Sequence, residues 1–502
     1  MARTPLFAAL RRAARLVAVS RRPGAPPLDE LLDPAFGRRA LLGGAAAAAA
    51  LAGVPAFAQA PRRRADARVA VVGGGLAGLV AAYRLTQAGV QNVTVYEANR
   101  RVGGRVLSGR DVLGQGTLVE LGGSFINTDH EDMLSLAREF GFGLEDGQAG
   151  EDATLTATYW IAGQRRSLRE IADASRDLLA QLETVRKGGE PAETAADGKS
   201  AAAMLDAFGV SGWLRGLLDV GLTQEMGAEP GAMSALYLVE AFAPDVSVPK
   251  RGLFSSDQRF QVEGGNDRIP AALAERLGNR VRLGERLTRI APRGQAYALA
   301  FGSREVVADI VVMTLPATML RGVAVDAPIS PLTRRAIREL GYGSNAKLFG
   351  AVSARPWRGQ GNSGECLNDL GFQTCWEDHG KPGTGAGTLT IFAGGRVGLG
   401  FRDGRPEARV REVTGRLDTA FPGAAAAFTG KASRMHWPSN PYVGASYSCF
   451  APGQWMGFSE AWAPAGRIVF AGEHTSEKFS GYMNGGAESG RKAAEKVLAL
   501  LG

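Results

Sequence analysis

Cysteine and histidine are scarce: three of the first and four of the second in 502 residues. Cys366, Cys375 and Cys449 make no C-x-x-C site and no disulfide framework, so a cysteine-stapled fold is excluded. Cys366 and Cys375 are the pair closest in sequence and the one expected to bridge if any does; buried thiols are the equal alternative. His130, His379, His436 and His474 are scattered without metal-ligand spacing, which argues against a metal enzyme. Long apolar runs are missing too. Beyond the N-terminal region nothing approaches the roughly 18 uninterrupted apolar residues of a membrane span, so the mature chain is expected to be soluble. The net charge of +8 looks like a signal for a polyanion partner, but it is concentrated at one end. Residues 1–60 hold eight arginines, no lysine and three acids, while the remainder holds 50 basic and 47 acidic residues. A nucleic-acid partner therefore loses its support. Hydrophobic content of 45% and charged content of 22% are those of an ordinary globular protein.

The basic end has the parts of an export signal. GRRALLGGAAAAAALAGVPAFAQA sets Arg38 and Arg39 before a weakly apolar stretch that ends in A-x-A sites at Ala56 to Ala60. It resembles a twin-arginine signal, a route that carries proteins already folded around a cofactor. The implied partner is the twin-arginine export machinery, and the implied location is periplasmic or secreted. Alanine, glycine and Pro55 make the segment marginal as an anchor, so cleavage is expected to leave no stable membrane span.

What the chain has in abundance is glycine, 68 in all, and one group of them is in register with structure. RVAVVGGGLAGLVAAYRL, from Arg68 to Leu85, places an apolar β-branched run, then glycines, then a helix-forming segment. Gly73, Gly75 and Gly78 fit G-x-G-x-x-G, with Ala77 between the last two. The first glycine allows the tight turn, the second admits a pyrophosphate to the backbone, and the third lets helix and strand pack closely. The helix start offers unpaired N–H groups and a partial positive charge to phosphates. QNVTVYEANR then reads as a second strand, delivering Glu97 nineteen residues after Gly78, where a carboxylate accepts from ribose hydroxyls. Alone, this unit allows NAD, NADP or FAD.

Further along, MLSLAREFGF, SLREIADASRDLLAQLETVRK and SGWLRGLLDVGLTQEMG have apolar residues at helical spacing, and EPAETAADGKSA between them reads as a surface loop. QVEGGNDRIPAALAERL is another glycine turn into a helix. RVRLGERLTRI and ADIVVMTLPATML are strand-like and are expected to return the chain to the first sheet. The end of the chain reads as strand, loop and amphipathic helix. The expected fold is α/β: a Rossmann-like nucleotide-binding domain made of residues 61–130, 259–317 and 451–502, with an inserted α+β domain of mixed sheet and helices. The inserted parts are 131–258, mainly helical, and 318–450; residues 1–60 are the signal. GGRVGLG, at Gly394 to Gly400, sits in a loop context without a following acid and makes no second nucleotide unit, which argues against an NAD(P)-linked reductase.

Behind Glu97 comes EANRRVGGR, with Arg101, Gly103, Gly104 and Arg105, a second glycine pair and arginines suited to a longer cofactor with its own pyrophosphate. ELGGSFI at Glu120 to Ile126, EGGNDRIPAALA, TLPA, AGEHT and GYMNGGAESG complete a set that resembles the FAD-binding amine oxidase family of monoamine, polyamine and L-amino acid oxidases. The resemblance spans nearly all of residues 68–502. It implies noncovalent FAD, since Ala445 or Ser446 stands where animal monoamine oxidases carry the flavin-linked cysteine. It further implies that Gly122, Gly123 and Ser124 lie beside the flavin ring, Leu287 at the adenine side, Gly472 and Glu473 at the ribityl and pyrophosphate, and Met483 along the ring. Lys347 would reach flavin N5 through a water, Tyr482 and Tyr447 would form an aromatic cage, and Trp437 would lie near the ring.

The implied reaction is oxidation of an amine to an imine by hydride transfer to flavin N5, with O2 reduced to H2O2. The substrate is an amine or an amino acid. GGSFINTDHEDM lacks the arginine that clamps an α-carboxylate, which favours an amine. Asp129, Glu131 and Asp132 either attract a cationic substrate such as a basic amino acid or simply start a helix. An exported flavoprotein that passes electrons to a carrier protein, or that only binds FAD, is the reading from another class.

Overall fold

A computed structural model describes residues 66–502 apart from 115, 148, 150–153, 242–256 and 379–384. The proposed signal lies outside the described residues, as does His379.

Strand β1 (Val69–Val72) is buried along its whole length and lies at the centre of a five-stranded parallel sheet. Its neighbours are β2 (Val93–Glu97) and Ile310–Met313, with Val281–Leu283 and Ile468–Phe470 outside them. Side chains on a strand alternate between faces, and both faces are used. Val69, Val71, Ile310, Val312 and Val469 pack into a helical layer, while Ala70, Val72, Val311, Met313 and Phe470 pack into the opposite core. Helix α1 (Leu76–Gln87) and the C-terminal helix Met483–Leu501 belong to the first layer. They approach closely because glycines face them: a Cβ on Gly490 would lie 2.3 Å from the Ala77 carbonyl oxygen. The opposite core is closed by a four-stranded sheet built from Leu287–Arg293, Ala296–Phe301, Arg304–Ala308 and Ala324–Val325. RVRLGERLTRI is therefore split between two sheets: Val281–Leu283 joins the parallel sheet, and Leu287–Arg293 turns away from it. Gly284, at φ +78°, permits that turn.

A seven-stranded mixed sheet forms a separate layer. Its strand Ala346–Val352 is fully buried between Gly387–Ala393 and Phe428–His436. One expectation from the sequence is qualified here and another fails. The segment read as mainly helical contributes Thr156–Ile161, a strand that pairs parallel with Asn362–Asn368; the β-branched and aromatic TATYWI explains this. EPAETAADGKSA forms helices at Gly189–Asp197 and Ala201–Ala207 rather than a loop. Its alanines favour helix, and Ser200 caps the second helix by accepting from the Ala203 N–H at 3.1 Å. GGRVGLG is a short helix, Gly395–Gly400. Cys366 and Cys375 face each other across antiparallel strands as buried thiols, and no disulfide joins described cysteines. No described helix is long and apolar enough to cross a membrane.

Candidate active site

One cavity of about 290 Å³ reaches both the glycine turn and Lys347. It is lined by Gly73, Gly75, Ala77, Glu97, Arg101, Gly104 and Arg105, and also by Gly122, Gly123, Ser124, Lys347, Trp437, Tyr447 and Tyr482. Leu287, Gly472, Glu473 and Met483 also line it. Of the cofactor-binding and catalytic residues named from the sequence, Gly78 alone is set back from it. That glycine acts by size: a Cβ there would sit 1.9 Å from the Gly73 carbonyl oxygen, so only glycine lets α1 follow β1 so closely.

The glycine end is shaped for a dinucleotide. Neither α1 nor the C-terminal helix has a side-chain cap, so the first-turn N–H groups of two helices have no side-chain acceptor at the cavity. A Cβ on Gly75 would meet nothing within 4 Å, so the backbone there faces open space. The Glu97 carboxylate accepts from the N–H of Gly74 at 2.6 Å and of Asn99 at 2.7 Å while lining the cavity, and so braces the turn it serves. Arg101 donates to the carbonyls of Val102 and Gly104, which orders the second glycine pair. These features fit FAD: two helix starts for a pyrophosphate, an acid for ribose, and a long cavity leading on to the ring residues.

Glu473 and Arg105 form one unit. Arg105 donates to the Glu473 carboxylate at 2.8 Å and to the Ser446 carbonyl at 2.9 Å. Glu473 also accepts from the Ser448 N–H and hydroxyl and from the Gly481 N–H. Burial pushes its carboxyl pKa up, but Arg105, His474 and these donors outweigh it and bring the value to about 2. Glu473 is thus an ionised brace linking the AGEHT loop, the Ser446–Ser448 segment and the start of the C-terminal helix.

At the far end, Lys347 points inward from its strand and is 5% exposed. Its ammonium donates to the carbonyls of Glu120 at 2.8 Å and Gly122 at 2.7 Å, and to the Ser124 hydroxyl at 2.6 Å. Three donors meet three acceptors, so Ser124 is the group that carries hydrogen bonding onward from Lys347 into the cavity. Burial lowers the Lys347 pKa to about 8, opposed by the charges of Asp378 and Glu120. Gly122 must be glycine, because a Cβ would lie 1.9 Å from the Arg105 carbonyl oxygen. Met483 lies against Gly123, its sulfur 2.8 Å from where a Cβ would stand. Trp437 donates its indole N–H to the Leu121 carbonyl at 3.0 Å, and Tyr447 donates its hydroxyl to the Glu225 carbonyl at 2.6 Å.

Several residues went unnamed at this site. Asn266 donates to the carbonyls of Gly123 and Ser124, fixing the loop that Lys347 grips, and its own N–H donates to Glu120 at 2.7 Å. Burial raises the Glu120 carboxyl to about pKa 7 against these hydrogen bonds. His130 packs edge-on against Tyr482, with ring centroids 5.0 Å apart. Glu120 and Asn266 both lie inside motifs of the chain, ELGGSFI and EGGNDRIPAALA, but their contact joins segments 146 residues apart. The acidic segment does not line the cavity: Glu131 and Asp132 start the helix Glu131–Glu139, and Asp132 pairs with Arg491 at 2.7 Å.

A discontinuous parallel sheet with an uncapped glycine turn, joined by one cavity to a buried lysine among aromatic side chains, defines a flavin-dependent oxidoreductase. The family model for flavin containing amine oxidoreductase matches residues 76–498, and the chain belongs to that family. AofH of Mycobacterium tuberculosis (strain ATCC 25618 / H37Rv), named as a flavin-containing monoamine oxidase, is 29% identical over 451 residues, covering 86% of this chain and 97% of the relative. An L-amino acid dehydrogenase of Synechocystis sp. (strain ATCC 27184 / PCC 6803 / Kazusa) is 26% identical over 460 residues, covering 86% and 94%. Among solved structures, cyclohexylamine oxidase from Brevibacterium oxydans IH-35A superposes with a TM-score of 0.75 at 25% identity, covering 87% of this chain and 99% of that one. The protein is an enzyme of this family, and FAD is its cofactor.

Proposed function

We propose that the protein is an FAD-dependent oxidase of primary or secondary amines that uses O2, releases H2O2 and is exported folded to the periplasm or beyond. The observation that carries this reading is the Lys347 ammonium, buried beside Gly122 and Ser124 in the same cavity as Trp437, Tyr447 and Tyr482. When bound, FAD takes a hydride from the carbon next to the substrate nitrogen and returns the electrons to O2. The residues supply the rest. Tyr447 and Tyr482 present ring faces that guide a neutral amine and favour positive charge growing on its nitrogen as the C=N bond forms. The amine must lose its proton before binding productively, and no strong base of the protein is required. Lys347 holds a proton at Nζ beside the loop where negative charge develops during reoxidation, and Ser124 conducts its hydrogen bonding into the cavity. Water then hydrolyses the imine to a carbonyl compound and ammonia or an amine.

FAD is held noncovalently in this reading: Ser446 lines the cavity, and Cys449 is buried in the helical core away from it. Export rests on Arg38, Arg39 and the A-x-A sites, together with a cofactor that must be inserted before translocation. An amine is favoured over an L-amino acid because the cavity-lining arginines are committed elsewhere, Arg101 to Val102 and Gly104, Arg105 to Glu473 and Arg286 to the Pro441 carbonyl. The test is a flavin spectrum of the purified protein followed by peroxide release on amines and L-amino acids. Colourless protein refutes the reading; peroxide from amino acids alone moves the activity to an L-amino acid oxidase.

A further inference from the structure

Resting on the amine oxidase reading above, we propose that the substrate of this cavity is a monoamine with an apolar tail, alkyl or aryl, carrying no second charge. Three aromatic side chains line the Lys347 end and were not among the cage residues. Phe125 and Trp376 lie with ring centroids 5.8 Å apart, and Trp376 and Phe392 with centroids 5.7 Å apart, each pair tilted. Neighbouring antiparallel strands hold the last two, with Trp376 opposite Thr390 and Phe392 opposite Thr374, so the rings are diagonal neighbours on one sheet face. The Lys347 ammonium is 5.7 Å from the Trp376 centroid and 6.0 Å from the Phe392 centroid, so this wall stands beside the loop assigned to the flavin ring.

A charged tail meets no partner at this wall among the described residues. The carboxylates that line the cavity are used elsewhere: Glu97 by Gly74 and Asn99, Glu285 by Arg304, and Glu473 by Arg105. Asp378, beyond Trp376, does not line the cavity and accepts from the Thr390 hydroxyl at 2.6 Å. A second ammonium would also meet a like charge, since Lys347 already lies over the same two rings. An α-carboxylate fares no better, because the three Lys347 donors are spent on Glu120, Gly122 and Ser124. A charge placed against rings without a partner loses its hydration and gains little, whereas an alkyl or aryl tail gains by leaving water.

Two matched pairs of probes isolate each charge in the purified flavin-loaded enzyme, read by peroxide release. Hexylamine against 1,6-diaminohexane differs by the distal ammonium, and 2-phenylethylamine against L-phenylalanine by the α-carboxylate. The uncharged-tail member of each pair is expected to have the higher kcat/KM, by about 100-fold. Equal or better use of 1,6-diaminohexane or L-phenylalanine overturns the proposal and leaves the oxidase reading standing. Flavin-loaded enzyme that releases peroxide with none of the four, nor with a secondary amine such as N-methylhexylamine, overturns the oxidase reading itself. Trp376→Leu is expected to raise KM for 2-phenylethylamine about 10-fold, with Trp376→Phe restoring most of it. A KM unmoved by Trp376→Leu removes the wall from the argument.

Discussion

Replacing Lys347 by methionine tests the site most directly. Methionine keeps an unbranched stem of similar length, exchanges one methylene for sulfur and removes the ammonium. Three acceptors then lose their donor, the Glu120 and Gly122 carbonyls and the Ser124 hydroxyl, at contacts of 2.8, 2.7 and 2.6 Å. Ser124 can turn its own hydrogen elsewhere, so the structural cost falls mainly on two carbonyls, about 2 to 4 kcal/mol in all. Removing a buried charge that carries a desolvation penalty offsets part of it. The variant should therefore fold and hold flavin. The electrostatic loss is larger in kinetics: one preorganised donor group beside a developing negative charge is worth about 100- to 1000-fold in rate. Mixing anaerobically reduced enzyme with O2 in a stopped-flow instrument and following flavin absorbance isolates that step. The variant should reoxidise slower by that factor, while reduction by amine changes far less. In the wild type, Lys347 is protonated below about pH 8, so the reoxidation rate should fall as pH rises through that value, and the variant should lack the step. Flavin-loaded Lys347→Met that reoxidises at the wild-type rate refutes the role.

Glu473→Gln should leave Arg105 without its charge partner, lower stability by about 3 kcal/mol and weaken FAD retention, measured by thermal unfolding and the ratio of flavin to protein absorbance. Because folding holds the Glu473 pKa near 2 against 4.5 for the free side chain, its contribution is complete above about pH 4.5 and lost as pH falls toward 2; the Gln variant should lose that part of the acid dependence. Gly78→Ala places a methyl 1.9 Å from the Gly73 carbonyl oxygen and should cost about 1 to 3 kcal/mol with loss of bound FAD; full flavin content would contradict the packing argument. Trp437→Phe removes the 3.0 Å hydrogen bond to Leu121 and should cost about 1 kcal/mol in chemical denaturation, with a raised KM for amine. Deleting residues 1–60 should keep flavin-loaded activity in the cytoplasm and abolish export, read by fractionation.

Much of the fold was legible where local patterns coincide with long-range requirements. The Val69–Val72 run is apolar on both faces because both faces are covered, and its glycines follow at the one place where a helix must start against a strand. Two segments departed from the local pattern for different reasons. TATYWI lies in a stretch of helical composition and becomes a strand because Asn362–Asn368, some 200 residues later, offers it an edge. EPAETAADGKSA has the polarity of a loop, yet its alanines favour helix, and Ala196 and Ala201 are buried in the helical core.

The sequence alone determined that a dinucleotide binds behind β1 and that the family motifs recur along the chain, because backbone turns and close approaches demand particular residues at fixed local spacing. Tertiary structure decided what those residues face. Lys347 could have pointed to solvent from its strand; it is buried because that strand is sandwiched and because Glu120, Gly122 and Ser124 come from more than 200 residues away to accept its protons. Glu473 became a brace for Arg105, and Phe125, Trp376 and Phe392 became one wall, by the same route. Buried charges and aromatic contacts are satisfied by whichever groups the fold brings into range, and one-dimensional spacing does not carry that information.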